Sequence, residues 1–191
     1  NSHGTSRRDT YIIKVGDKLH EVGPDVGLVV SQSNSGRYLN DDFPSSSNYT
    51  ALVLGAISQM TANNIDHLVL GLPVHTLKRF TEYLKIHFTG TFNLADRQVT
   101  IKKVSVLAQP IGTLVRCVSE QMTIKSGINH LIIDPGYYST DWVVADGFNM
   151  KPSRSDGKVA GVYPILNEVA ALISKDLNIR FDQIERISRA I

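Results

Sequence analysis

Ile132-Ile133-Asp134-Pro135-Gly136-Tyr137-Tyr138-Ser139-Thr140-Asp141 is the stretch on which the fold turns. An apolar run ends there in a carboxylate, a glycine, hydroxyl-bearing side chains and a second carboxylate, and Trp142-Val143-Val144 follows as an apolar return. Two strands joined by such a loop make a β-hairpin, with a buried run at 130–133 fixing the first strand. Gly136 lets backbone N–H groups come close to an anion, and Asp134 at the strand end can hold Mg²⁺ through water. The same residues also read as an ordinary hairpin with a polar turn, so the rest of the chain must separate a phosphate-binding loop from a plain one.

The 191 residues are 42% apolar, enough for a substantial core in one large domain or two small ones. Twenty Lys plus Arg against eighteen Asp plus Glu leave +2, which argues for neither nucleic acid nor a membrane as a direct electrostatic partner. The single cysteine, Cys117, excludes an internal disulfide, suits a reducing cytoplasm and is expected as a buried structural thiol. No apolar stretch approaches the roughly 20 residues of a membrane span, and residues 1–8 lack an apolar signal core. Residues 1–10 read as a disordered end or a cloning remnant.

Tyr11-Ile12-Ile13-Lys14-Val15 and Leu19-His20-Glu21-Val22 flank Gly16-Asp17-Lys18 as a hairpin. Residues 31–47 are mostly Ser, Asn, Asp and Gly, a long exposed connection. Ser46 or Ser47 then caps a helix in which Tyr49, Leu52, Val53, Ala56, Ile57 and Met60 recur at helical spacing, until Asn63-Asn64 stops it. The run 67–72 predicts a central strand covered on both faces and ending at Pro73. Thr76 is expected to cap a second helix with Leu77, Phe80, Tyr83, Leu84 and Phe88 as its buried stripe, closed by Gly90. Residues 99–107 alternate as a strand, Gln109-Pro110-Ile111-Gly112 breaks it, and 113–122 predicts a helix with Leu114, Val115, Val118 and Met122 inward. Beyond the hairpin, 161–177 predicts a helix with Ile165, Val169, Leu172 and Ile173 on one side, and 181–191 starts another. The order fits an α/β fold, a mixed sheet with helices packed on it.

Several of these segments together resemble the actin-like ATPases, the superfamily that includes the Hsp70 chaperones and sugar kinases. The strongest likeness is to the actin-like proteins of bacterial plasmid segregation, including those from ParB-related, ThiF-related cassettes. It rests on Gly71-Leu72-Pro73-Val74 at a strand end and Asp134-Pro135-Gly136-Tyr137 in the hairpin, and spans Tyr11 to the end. The resemblance implies an actin-like, ribonuclease H-like mixed sheet with helices on both faces, in an incomplete two-domain architecture. Residues 11–128 would be part of the first domain and 129–191 the start of the second. It implies ATP and Mg as cofactors: Asp134 would assist Mg²⁺, Gly136, Tyr137, Tyr138 and Ser139 would face the β- and γ-phosphates, and Asp141 completes the cofactor-binding set. Gln109, before a proline at the head of a helix, would orient the water that attacks the γ-phosphorus. An amide aligns a water but is a poor proton acceptor, which suits slow, switch-like hydrolysis.

The sequence also departs from the family. Tyr137 and Tyr138 replace glycines found in chaperone-like members, which narrows the loop, and Pro135 removes one N–H. No first phosphate hairpin of the Asp-x-Gly-x-x-x-x-Lys kind precedes Tyr11, and no Gly-Gly pair offers an adenosine-binding turn. A fragment of a longer actin-like protein is therefore the expectation, binding ATP poorly by itself. The favoured function is a filament-forming ATPase, with itself as partner, DNA reached only through an adaptor protein, and no membrane. Its alternatives are a non-polymerising nucleotide-gated binding module or kinase of the same fold, and a degenerate, nucleotide-free structural protein. A longitudinal filament contact is expected in the loop at 31–43. The six histidines show no pair at metal-ligand spacing with a carboxylate, and Cys117 has no nearby histidine to make it a nucleophile.

Overall fold

The computed structural model describes residues 9–28, 40–94, 97–120, 123–125 and 127–190. Residues 1–8 and 29–39 lie outside them, and with the latter most of the loop at 31–43 where a filament contact is expected. The chain forms two compact units, one of residues up to 68 with 86–104, the other of 69–85 with the residues from 105 on.

In the first unit, β1 (Tyr11–Val15) and β2 (Lys18–Val22) pair antiparallel with Val15 opposite Lys18, so the turn is Gly16-Asp17, one residue shorter than the sequence suggests. Gly16 takes it at φ +59°, the left-handed region where glycine has no Cβ penalty. Helix α1 (Ser47–Ser58) starts where Ser46 Oγ accepts the Tyr49 N–H at 3.1 Å, which decides between the two candidate caps. It packs Ala51 and Leu54 on Ile13 and Val22 of the hairpin. Gly55 makes that approach possible, because a side chain there would run into Val22 Cγ2.

Strand β3 (Asn64–Ile65) runs parallel to β6 (Gln98–Ile101), whose other edge pairs antiparallel with β5 (Gly90–Asn93). The single strand expected at 99–107 is thus two, β6 and β7 (Val104–Ala108), and β7 pairs instead with β4 (Leu68–Leu72). The change of partner falls at Lys102-Lys103: the Lys102 N–H donates to the Ile65 carbonyl at 2.9 Å, and the Lys103 carbonyl accepts from Leu68 N–H at 2.8 Å. Val69 is 53% exposed, so β4 is covered on one face and not on both. Helix α2 (Val74–Phe88) buries Phe80, Leu84 and Phe88, while Tyr83 turns outward.

In the second unit, β9 (Thr140–Asp146) pairs antiparallel with β8 (Asn129–Pro135), β10 (Asn149–Met150) and β11 (Asp156–Lys158). Helix α3 (Pro110–Ser119) packs Ile111 and Leu114 on Ile132, Val143 and Ala145 of this sheet. It begins three residues before the predicted start. Val115 and Val118 point outward, Met122 lies outside the described residues, and Cys117 is half-buried rather than buried. Strand β8 alternates rather than being buried throughout: Ile132 faces the core, while Leu131 and Ile133 are 63% and 62% exposed. Helix α4 (Val162–Leu177) packs Leu166 and Ala170 with Ile187 of α5 (Ile184–Ala190), and Val169 and Ile173 flank them. Ile165 and Leu172, predicted for the same face, are exposed. Asn178 at φ +49° ends α4 as a left-handed C-cap. Among the described residues, no helix is long and apolar enough to cross a membrane.

Candidate functional site

All the residues singled out for chemistry lie in the second unit. Pairing of β8 with β9 sets Asp134 directly opposite Asp141 and Pro135 opposite Thr140, leaving Gly136-Tyr137-Tyr138-Ser139 as the loop. Opposed residues of an antiparallel pair share a face, so the two carboxylates stand side by side, roughly 5 Å apart at Cβ. Like charges set opposite one another repel, and hydrogen-bond donors gathered around one of them offset that cost.

Asp141 is that one. It is 3% exposed, its Oδ1 accepts the Val74 N–H at 2.6 Å, and its Oδ2 accepts the Ser139 hydroxyl at 2.6 Å. Val74 opens α2, so the carboxylate also meets the positive end of the helix dipole. His75 Nδ1 lies 3.7 Å from Oδ1, and Gly157 of β11 leaves the space this carboxylate fills. The cap of α2 is therefore a residue 67 positions further along the chain. Thr76, expected to cap the helix, instead lies in its first turn with its hydroxyl donating to the Pro73 carbonyl at 3.1 Å.

With Asp141 enclosed by these donors, Asp134 is the half-exposed carboxylate at the end of β8. A single hard oxygen donor that keeps access to water is what Mg²⁺ uses when the rest of its shell comes from water and phosphate, so the residue fits that ion.

The loop itself is fixed by backbone. The carbonyls of Gly136, Tyr137 and Tyr138 accept from the N–H groups of Val162, Tyr163 and Gly161 at 3.1, 3.0 and 3.0 Å. No peptide bond among the described residues is cis, and in a trans peptide the C=O and the next N–H point in opposite directions. The N–H groups of Tyr137, Tyr138 and Ser139 therefore aim away from α4. Successive amides aimed to one side make an anion-binding concavity. Gly136 contributes differently: its own N–H donates to the Ser139 carbonyl at 2.8 Å, and a Cβ there would stand 2.9 Å from that same oxygen. Ser139 is buried and its hydroxyl proton is committed to Asp141, so what it can offer an anion is its main-chain N–H. The Tyr137 ring packs on α4, 5.6 Å from the Tyr163 ring and against the Leu166 and Ala170 cluster. The tyrosine that the sequence suggests would narrow the loop thus has its ring turned into the helix.

Gln109 occupies the position before α3 with an exposed side chain. Its N–H donates to the Leu72 carbonyl at 2.9 Å, and its Cγ lies over Gly71, where a Cβ would meet it at 3.1 Å. Gln109 and Asp141 therefore both reach the segment Gly71-Leu72-Pro73-Val74, one at its start and one at its end. Sequence reasoning missed Val74, Gly157 and Gly161 as parts of this site. Val74 was legible only as the end of the Gly71-Leu72-Pro73-Val74 motif, and nothing in the sequence tells a packing glycine such as Gly157 or Gly161 from a turn glycine.

A mixed α/β fold with an aspartate-ended hairpin beside a strand-proline-helix crossover defines an actin-like protein. The sequence model described as "Actin like proteins N terminal domain" matches residues 1–112, more than half of the chain, and the chain belongs to that family. Solved structures agree on the fold. An archaeal actin homologue in complex with ADP superposes with a TM-score of 0.63 at 16% identity, over 75% of this chain and 49% of that one. The AlfA filament bound to AMPPNP gives 0.62 at 13% identity, over 92% and 64%. A 15-stranded ParM filament from Clostridium botulinum gives 0.62 at 16%, over 89% and 56%. The chain thus spans between 49% and 64% of these structures' length. No curated protein sequence matches it.

Proposed function

We propose that this chain carries the phosphate-binding part of the nucleotide site in a filament-forming, actin-like ATPase of the plasmid-segregation type. The observation that carries this reading is the loop 136–139, whose three carbonyls are held by α4 so that three successive amides face the other way, next to the half-exposed carboxylate of Asp134. The structures with the same fold support it: one holds ADP, one is a filament bound to AMPPNP, and one is a ParM filament. In this reading the amides of Tyr137, Tyr138 and Ser139 bind the β- and γ-phosphates, and Asp134 holds Mg²⁺ through water. Bound Mg²⁺ would neutralise charge that develops on the phosphates. Gln109 aligns the attacking water, and Asp141 fixes the hairpin against the start of α2. Residues 11–128 and 129–191 then belong to the first and second actin-like domains. The full-length protein works in the cytoplasm, assembles with itself and reaches DNA through an adaptor.

The test is to mix full-length protein with ATP and Mg²⁺ and follow light scattering and phosphate release together, with images of the sample. Scattering that rises with ATP and decays as phosphate appears is the expected result. Asp134→Ala should abolish Mg²⁺-dependent release while the fold persists. Gln109→Ala should slow release by roughly 10²-fold, the scale of a misplaced reactant, and prolong scattering with ATP affinity nearly unchanged. Phosphate release without scattering would make the protein a nucleotide-gated module, and neither signal would make it a structural relative without nucleotide.

A further inference from the structure

The start of α4 resembles an anion site and is not one. Val162, Tyr163 and Gly161 donate their N–H groups to the hairpin loop, and Pro164, at the third helical position, has none to give. The end of the helix that would ordinarily face an anion is closed against three carbonyls of the chain itself. Gly161 makes this approach possible. It sits at φ −86° and ψ −162°, extended backbone that any residue adopts, so conformation does not require a glycine there. Space does: a methyl group at 161 would stand 2.5 Å from the Tyr137 oxygen, 2.6 Å from the Gly136 oxygen and 2.6 Å from the Tyr137 carbonyl carbon. Each of these is backbone, which cannot swing aside as a flexible side chain can.

We propose that α4 is the positioning element of the phosphate hairpin, and that Gly161 is the residue through which it acts. This rests on the nucleotide reading above and adds to it how the loop acquires its shape. Three amides of one helix terminus hold three successive peptide planes, so the direction of each plane is set by α4 before a diphosphate arrives. A preset arrangement of donors is what makes anion binding by main chain strong. The Tyr137 ring against Tyr163 and Leu166 fastens the same loop to the same helix by packing. Gly161 touches no ligand in this arrangement; it acts through residues 137–139.

The test uses full-length protein and two probes, Mg·ADP and AMP, titrated by calorimetry into the wild type and the Gly161→Ala, Val162→Pro and Asp134→Ala variants. Gly161→Ala pushes the helix off the loop. Val162→Pro removes one donor at the first helical position, where proline is accommodated, behind a residue already extended as a pre-proline residue must be. The wild type should prefer Mg·ADP over AMP, and both α4 variants should cut that preference by about tenfold or more, the scale of one charge-assisted hydrogen bond lost. AMP affinity should stay within about twofold, since the phosphate nearest the nucleoside makes the least use of the loop. An unchanged preference, or a parallel loss for both probes, would overturn the role of α4, since a merely structural glycine weakens both ligands alike. The nucleotide reading fails separately, and this inference with it, if the wild type does not prefer Mg·ADP or if Asp134→Ala leaves Mg·ADP binding untouched.

Discussion

Among the described residues, the hairpins β1–β2 and β8–β9 each carry a glycine in the turn, and they use it for different ends. In β1–β2, Gly16 sits at φ +59° with nothing within 4 Å of the position a Cβ would take. Its task is conformational and local. In β8–β9, Gly136 lacks a left-handed φ but faces the Ser139 carbonyl, while Gly157 and Gly161, outside the hairpin, clear room for Asp141 and for the loop carbonyls. Here the glycines serve close approach, and what they bring close is backbone and a buried carboxylate. The first hairpin is closed by its turn; the second is held by residues from α2, β11 and α4. On the proposed phosphate-binding reading, a loop that keeps its amides aimed at a ligand gains from supports that a simple turn does not need.

The sharpest way to break that contrast is at Asp141. Asp141→Ala removes the acceptor for the Val74 N–H and the Ser139 hydroxyl at once, and each orphaned buried donor costs roughly 1–3 kcal/mol. A loss of about 3 kcal/mol should lower Tm by roughly 6–12 °C in a chain of this size, read by thermal unfolding in circular dichroism. Asp141→Asn keeps an oxygen for Val74 and should lose less than half as much. Equal losses from the two variants would mean that charge at the α2 terminus, not the pair of hydrogen bonds, is what matters.

Gly16→Ala comes next in size. The new side chain meets open space, so the only cost is the left-handed backbone, about 1–2 kcal/mol. Nucleotide binding should be unaffected in the same preparation, because the turn lies in the other unit. A larger loss, or an effect on binding, would show that the first hairpin is also held from outside.

This contrast explains why one part of the molecule was legible in the sequence and another was not. The strands of both hairpins, α1 with its serine cap, and the helix at 161–177 follow from local spacing and cap chemistry, which act within a few residues. The opposition of Asp134 and Asp141 was implicit in the hairpin, since seven residues of separation and a four-residue loop leave little other pairing. The cap of α2 was misread because Thr76 has the local form of a cap, whereas the actual acceptor arrives from 67 residues away. Exposure on one face of β8, at Leu131 and Ile133, could not be read from an apolar run, because burial depends on what covers each face. The support of the loop by α4 is main chain to main chain and leaves only Gly161 as a mark in the sequence.

The smallest expected effect lies in the first unit and concerns protons. His87 Nε2 shares a hydrogen bond of 2.9 Å with the Thr50 hydroxyl, and the half-buried ring has its pKa held below the ordinary 6.5 by desolvation. The fold therefore favours neutral imidazole, and acidification favours the unfolded chain, whose histidine takes up a proton first. The contribution is present in full above pH 6.5 and is lost as pH falls through the lower folded value. Because part of the ring is solvated, the change should stay below about 1 kcal/mol. His87→Gln offers an amide in place of the ring and cannot titrate, so Tm measured between about pH 7.5 and 5 should fall less steeply than in the wild type. All other histidines are present in both proteins, so the difference between the two curves isolates this ring. Parallel curves would mean that the ring gains enough from solvent or from Thr50 to carry its proton inside the fold, and that acid sensitivity resides elsewhere.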